Sequence, residues 1–353
     1  MLASGSLPKF WELDEYKSLM RNGGDGAMVE VPDLIGDDSL RAELHQLEQR
    51  RTSYHRRPED ANALDCQGIV DFVVRKKPGP RLLIVNTVQT AAAIAQAMRK
   101  SSHNVLHLST ALAPVHRAVI VDRVKQRLRD GIENWTLVAT SCVEAGMDFS
   151  FRVGFRERAS TASLIQIGGR VNRGDEFDGA EAEVWDLLLR DDQFRENPAL
   201  SISRRALDYF TVDELKTMHS HELATVAMRR EWTSGAEGKA RQLVDYETGM
   251  EYPSVSRECR VIDADTRTVL VDRSLVETIR RGEKVSKTEI MRYSVQIWAN
   301  KIAKLALEPV INERRSSDFG IYIWPYEYDP DFLGYMKGVL KLDEFIAAGG
   351  AII

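Results

Sequence analysis

RLLIVNTVQTAAAIAQAMRK, residues 81–100, changes its hydrophobic rhythm partway along. RLLIVNT (Arg81–Thr87) is a short unbroken apolar run closed by polar residues, as in a strand covered on both faces. Thr90 is placed to cap the alanine-rich helix AAAIAQAMRK that follows. The same alternation continues downstream. NVLHLST (Asn104–Thr110) reads as a strand, and APVHRAVIVDRVKQRLRDG as a helix ending at Gly131. WTLVATS (Trp135–Ser141) is a third strand, RVGF a short fourth, Leu164–Arg173 a helix, and AEVWDL (Ala182–Leu187) a last strand. Strands alternating with helices specify one parallel α/β sheet covered on both sides.

The flanks read differently. Ser39 to about Lys77 is charged and mostly helical, including LRAELHQLEQRR. After roughly Arg190 a charged helical region runs to about Lys239, and RVIDADTRTVLVD (Arg260–Asp272) has the pattern of a hairpin turning at Asp-Ala-Asp. Two helices with S-x-x-E starts follow, at Ser274 with Glu277 and Ser286 with Glu289. The aromatic stretch IYIWPYEYDPDFLGYM is expected to form the core of a second, smaller α+β domain rather than a base-stacking surface.

Composition sets limits. A chain of 353 residues, 43% hydrophobic and 29% charged, suits about two domains. A net charge of −5 argues against wholesale electrostatic binding to nucleic acid. Between Arg99 and Asp130, however, seven Lys/Arg stand against two Asp/Glu, which suits either a solvated face or a local backbone contact. Cys66, Cys142 and Cys259 form no CxxC pair, so a reducing, cytoplasmic setting without a cysteine-rich zinc site is expected. Cys142 reads as a small buried filler, and His219 and His221 as members of a solvated segment. There is no signal peptide and no run of about 18 apolar residues, so no membrane role is expected.

Two stretches carry chemistry. In VATSCVEAGMDFSF (Val138–Phe151), Thr140 and Ser141 fall at the C-terminal end of a parallel strand, where open α/β sheets place ligands. Gly146 permits close backbone approach, and Asp148 offers an acceptor for a ribose hydroxyl or an arginine. In LIQIGGRVNRGDE (Leu164–Glu176), a helical reading puts Arg170 and Arg173 on one face, two planar cations suited to phosphate. The plain readings are surface salt bridges for the arginines, and a cap and turn for Thr140 and Asp148.

The order strand, TSCVEAGMD, helix, QxxGRxxR resembles motifs five and six of superfamily-two helicases, in their second RecA-like lobe. RLLIVNTVQTAA is similar to motif four, and ASGSLP at residues 3–8 to motif three of lobe one. VEAGMDFSF followed by SLIQIGGRVNR most resembles the helicase–nuclease of type I CRISPR systems. VLVD, the SVQIW segment taken as a helix, and YDPDFLGYM resemble that family's accessory domain.

The resemblance implies a RecA-like parallel sheet (helicase lobe two) with a smaller α+β accessory domain. Its boundaries would be a lobe-one remnant over 1–35, lobe two over 36–190, and the accessory domain over 191–353. It also implies roles. Arg173 is the arginine finger on a γ-phosphoryl, and Arg170 and Gln166 line the same cleft. Gly146, Asp148 and Gly169 lie on the nucleotide side. Thr140, with Asn86, Thr87, Ser109 and Thr110, contacts the nucleic-acid backbone. Ile167 stands where many relatives carry arginine, which removes one polar partner.

The sequence contains no G-x-x-x-x-G-K-[ST] loop to cradle phosphates, and no His-Asp dipeptide or histidine cluster of the nuclease type. The expectation is therefore the C-terminal half of an ATP-dependent, antiviral DNA helicase, as a fragment or split gene product, inactive as an ATPase alone. ATP and Mg²⁺ would be held with a lobe-one partner. Single-stranded DNA, a lobe-one and nuclease half in cis or trans, and a Cascade-like CRISPR effector complex are the implied partners. The alternatives are a non-catalytic module binding DNA or an effector complex, and a lobe of another DEAD/DEAH-like restriction or repair translocase.

Overall fold

The computed structural model describes residues 7–21, 31–57, 63–75, 79–144, 147–259, 265–310 and 320–347. The parallel strands are β1 (Ser53–Arg56), β2 (Arg81–Ile84), β3 (Val105–Leu108), β4 (Thr136–Ala139), β5 (Val153–Glu157) and β6 (Glu183–Leu187), paired as β1-β6-β5 and as β2-β4-β3. This is the parallel α/β pairing that the alternation of apolar runs and helices requires. Every residue of β2 and of β4 is buried, as expected of strands covered on both faces.

The chain divides into two compact units, each drawn from separate segments. The first comprises residues 1–64, 148–190 and 196–262, and the second residues 65–147, 191–195 and 263–353.

In the first unit, β1 pairs in parallel with β6, and β6 with β5. Asp186 on β6, 1% exposed, sits between Arg56 Nε at 2.7 Å and Arg158 Nε at 3.1 Å. The Arg56 guanidinium also donates to the carbonyls of Leu207 and Phe210, which ties the helix Ser201–Asp208 to this edge. A carboxylate buried this deeply persists because it pairs with both flanking cations. The charged region after Arg190 is helical as expected, with helices at Ser201–Asp208, Val212–Thr217, Ser220–Glu231 and Glu237–Thr248.

In the second unit, β2 and β3 flank β4, with Ile84 and Leu108 both opposite Ala139. The three strands therefore end at one level. A smaller three-stranded sheet, β8-β7-β9, is built from β7 (Thr266–Leu270), β8 (Ser294–Trp298) and β9 (Tyr322–Ile323). Trp324, Val269, Val295, Ile297 and Leu307 form its core, with Tyr326, Tyr328 and Tyr335 packed against them. The aromatic stretch is thus core, as expected.

Several local expectations are corrected. SYHR, inside the stretch read as mostly helical, is strand β1. The helix Val88–Lys100 is capped by Thr87, whose side chain accepts from the Thr90 amide, and not by Thr90. β7 pairs antiparallel with β8 and parallel with β9, while the expected hairpin arm at 260–264 lies outside the described residues. SVQIW is strand β8 and not a helix: Val295 and Ile297 are buried and Gln296 and Trp298 exposed, a period of two. Asp272, not Ser274, caps the helix Arg273–Arg280, whereas Ser286 caps Lys287–Arg292 as expected. His219 and His221 are half-buried rather than fully solvated: the His219 ring stacks on His45 at 3.5 Å, and His221 lies 5.3 Å from it. Cys142 is half-buried, with Sγ 3.4 Å from the Leu108 carbonyl, and burial pushes its thiol pKa up. Most of the 3–8 stretch resembling motif three lies outside the described residues.

Candidate nucleotide and nucleic-acid contacts

The candidate residues fall in both units, and each set has its own geometry. In the first unit, Ser160 caps the helix Thr161–Gly168 through the Ser163 amide. The helix stops at Gly168, so Arg170 and Arg173 do not share a helix face. They stand on the turn that follows. Gln166 and Gly169 are exposed and Arg170 is half-exposed. Ile167 is fully buried against Gly154 of β5, so its side chain faces the sheet and not the side that Gln166 presents. Position 167 is a packing position, and isoleucine there removes no outward polar partner.

The turn is held by its backbone. The Phe151 amide donates to the Arg170 carbonyl and the Asn172 amide to the Phe151 carbonyl, at 2.9 and 2.8 Å, so 170–172 lies alongside residue 151. Asn172 is fully buried with φ +48°, a left-handed conformation that asparagine tolerates better than most residues. Its side-chain amide donates to the carbonyls of Arg51 and Phe177, and its oxygen accepts from the Phe177 amide, each at 2.9 Å. Arg51 in turn donates to the carbonyls of Gly168 and Val171, covering the helix C-terminus. Gly168 is required there, because a Cβ would overlap the Tyr54 hydroxyl.

Arg173 is thereby set on the surface. Its amide donates to Ser150 Oγ, which donates to Glu176. Its guanidinium lies 3.0 Å from Asp148, with the two side chains 47% and 87% exposed. An ion pair this open is worth about 0–1 kcal/mol and is readily exchanged for a stronger anion. The sequence reading names none of Arg51, Ser150, Asn172 and Glu176; the N-R-G-D run, whose residue types favour turns, is the signal that could have indicated the turn in place of a helix.

In the second unit the candidates cluster at the shared C-terminal level of β2, β4 and β3. Thr140 is buried, with its amide donating to the Leu108 carbonyl. Ser109 is fully buried, and its hydroxyl accepts from the Ala111 amide. Thr87 serves as the helix cap, Asn86 is half-buried, and Thr110 is exposed. Gly146 lies outside the described residues. The basic stretch is partly committed to packing: Arg99 lies over Phe332, Arg127 over Trp135, and Arg123 pairs with Asp331.

One unit thus carries parallel strands with polar C-terminal ends, and the other an arginine-bearing turn after a helix. Residues 77–176 match the family model described as CRISPR-associated nuclease/helicase Cas3, C-terminal. The chain is 31% identical over 96 residues to the CRISPR-associated nuclease/helicase Cas3 of Haloferax volcanii, covering 27% of this chain and 10% of that protein. It is 30% identical over 132 residues to the CRISPR-associated helicase Cas3 of Thermoproteus tenax, covering 36% of this chain and 22% of that protein. The fold resembles T. fusca Cas3 with ATP at a TM-score of 0.51 and 12% identity, over 77% of this chain and 39% of that one. It also resembles a chain in the structure described as a CRISPR RNA-guided surveillance complex, pre-nicking, at a TM-score of 0.53 and 12% identity, over 81% of this chain and 44% of that one. Over residues 77–176 the chain is thus similar to the C-terminal part of Cas3 proteins. The chain spans less than half the length of each of these relatives. No helix among the described residues is long and apolar enough to cross a membrane.

Proposed function

We propose that the chain works as the C-terminal half of an ATP-dependent single-stranded-DNA translocase of CRISPR type I interference. The observation that carries the reading is the turn 169–176. Buried Asn172 fixes its backbone while the Arg173 guanidinium remains exposed beside Asp148. A rigid backbone carrying an exchangeable cation is what a phosphoryl-transfer site needs from the lobe opposite the phosphate cradle.

Arg173 would meet the γ-phosphoryl, with Arg170 and Gln166 lining the same cleft and Gly146, Asp148 and Gly169 on the nucleotide side. Bound ATP supplies the energy of phosphoryl transfer. The residues of this chain contribute positive charge and positioning, and the phosphate loop would come from a lobe-one half. Among the described residues no group of three or more His, Cys, Asp or Glu could hold a metal, so no residue here is assigned to Mg²⁺. Thr140, Asn86, Thr87, Ser109 and Thr110 form the strand-end level assigned to the DNA backbone, where exposed Thr110 would make direct contact and buried Ser109 would hold the loop. The similar solved structures contain Cas3 with ATP and with AMPPNP, and one belongs to a surveillance complex, which supports a nucleotide and a Cascade-like effector complex as partners.

The test is DNA-stimulated ATP hydrolysis by the chain alone and mixed with a separately expressed lobe-one half. Activity should appear only in the mixture and fall by about 10³-fold or more with Arg173→Ala. A mixture that stays silent while the chain still binds single-stranded DNA or an effector complex would replace this reading with the binding-module one.

A further inference from the structure

The loop Ser109–Ala113, in the second unit, is gripped by a segment more than 200 residues further along the chain. Its own bonds are few: Ser109 Oγ accepts from the Ala111 amide, and the Ser109 carbonyl from the Leu112 amide. The rest comes from Tyr328–Tyr335. The Ala113 amide donates to the Tyr328 hydroxyl at 2.9 Å, and that oxygen lies 2.7 Å from His116 Nδ1. The Tyr335 amide donates to the Ala111 carbonyl at 3.1 Å. Gly334, at φ +59°, passes so close that a Cβ would overlap that same carbonyl.

One residue earlier on β3 than Leu108, His107 is fully buried, and its Nδ1 lies 2.7 Å from the Phe332 carbonyl. Burial pushes the His107 pKa down to about 4, so the ring is neutral and Nδ1 carries the donated proton. Within the loop, Ala111, Leu112 and Ala113 are buried and Thr110 alone is exposed. A backbone fixed from both sides, with one residue left open, presents that residue in a single place.

We propose that the Tyr328–Tyr335 segment is a positioning strap that fixes exposed Thr110 for contact with a single-stranded DNA backbone. The proposal rests on the nucleic-acid role given above to the strand-end level. The strap acts through the loop, and the Tyr328 hydroxyl is its central fastening, because it satisfies the amide at the start of the helix Pro114–Arg129.

The experiment measures binding of a fluorescein-labelled oligothymidylate to the full chain by anisotropy at one fixed salt concentration. Thr110→Ala, Tyr328→Phe and the double variant are compared, with Tyr326→Phe as control. Tyr326 donates to the Leu305 carbonyl and makes no bond to the loop. Each of the first two single variants should weaken binding about three- to tenfold, the range of one lost hydrogen bond. In the Thr110→Ala background, Tyr328→Phe should add less than about twofold, because coupled residues do not add. Hydrogen exchange across 109–113 should accelerate in Tyr328→Phe and not in Tyr326→Phe. An equal effect of Tyr328→Phe in both backgrounds, or none in either, overturns the strap. A chain that binds the oligonucleotide but ignores Thr110→Ala overturns the strap and leaves the DNA reading standing. A chain that does not bind it at all overturns both.

Discussion

Replacing Asn172 tests whether the turn that carries Arg173 is built as described. Its side chain makes three hydrogen bonds, to the Arg51 carbonyl and to the carbonyl and amide of Phe177. At about 1 kcal/mol each, losing them costs about 3 kcal/mol. Alanine in the left-handed region adds about 1–2 kcal/mol, which glycine avoids. Asn172→Ala should therefore lower unfolding stability by about 4–5 kcal/mol, and Asn172→Gly by about 3, as measured by urea denaturation with linear extrapolation. That is a large share of the roughly 5–15 kcal/mol of a typical domain. The order of the two variants matters more than either size, because it isolates backbone strain from hydrogen bonding. If Asn172→Gly were as damaging as Asn172→Ala, or if both cost under about 1 kcal/mol, the turn would not depend on this residue and the reasoning would fail.

Asp186→Asn leaves Arg56 and Arg158 without their shared carboxylate and should cost about 3–5 kcal/mol in the same assay. Ile167→Arg should yield an unfolded or aggregated chain, since a lone cation would enter a fully buried site; a folded variant of normal stability would show that position 167 faces outward. Asp148→Asn and Arg173→Ala should each change stability by less than about 1 kcal/mol, because their ion pair is exposed, so any loss of activity in the reconstituted mixture would be chemical and not structural. His107 has a folded pKa of about 4 against an ordinary value near 6.5, so the unfolded chain binds its proton first. Its contribution is complete above about pH 6.5 and is lost as pH falls towards 4, with a slope of up to about 1.4 kcal/mol per unit. His116 and His221, also shifted down by burial, act in the same direction. Urea midpoints measured across pH 4–7 should fall with acidification, and less steeply in His107→Gln.

The sheet strands at 81–84, 105–108 and 136–139 were legible because most of their residues are consecutive, apolar and buried, so neighbours in sequence report their own burial. SYHR gave no such signal. β1 is half-buried throughout, and it becomes a strand by pairing with β6 and by lending Arg56 to Asp186, a residue 130 positions away. SVQIW did alternate with a period of two, but five residues are too few to separate a strand from a helical turn without β7 beside them.

The two arginines show the same division at the candidate site. Their identity, spacing and order after TSCVEAGMD were set by the sequence, and these alone pointed to phosphate. Their placement on a turn depended on Phe151, Arg51 and Phe177, which meet Asn172 only in the folded chain. The aromatic tail was read as core, yet its grip on Ser109–Ala113 was not visible, since a tyrosine hydroxyl carries no mark of which amide it will satisfy. Local pattern reports what a segment can become on its own. Contacts between residues far apart in the chain decide where buried polar groups find partners, and that decision belongs to the tertiary structure.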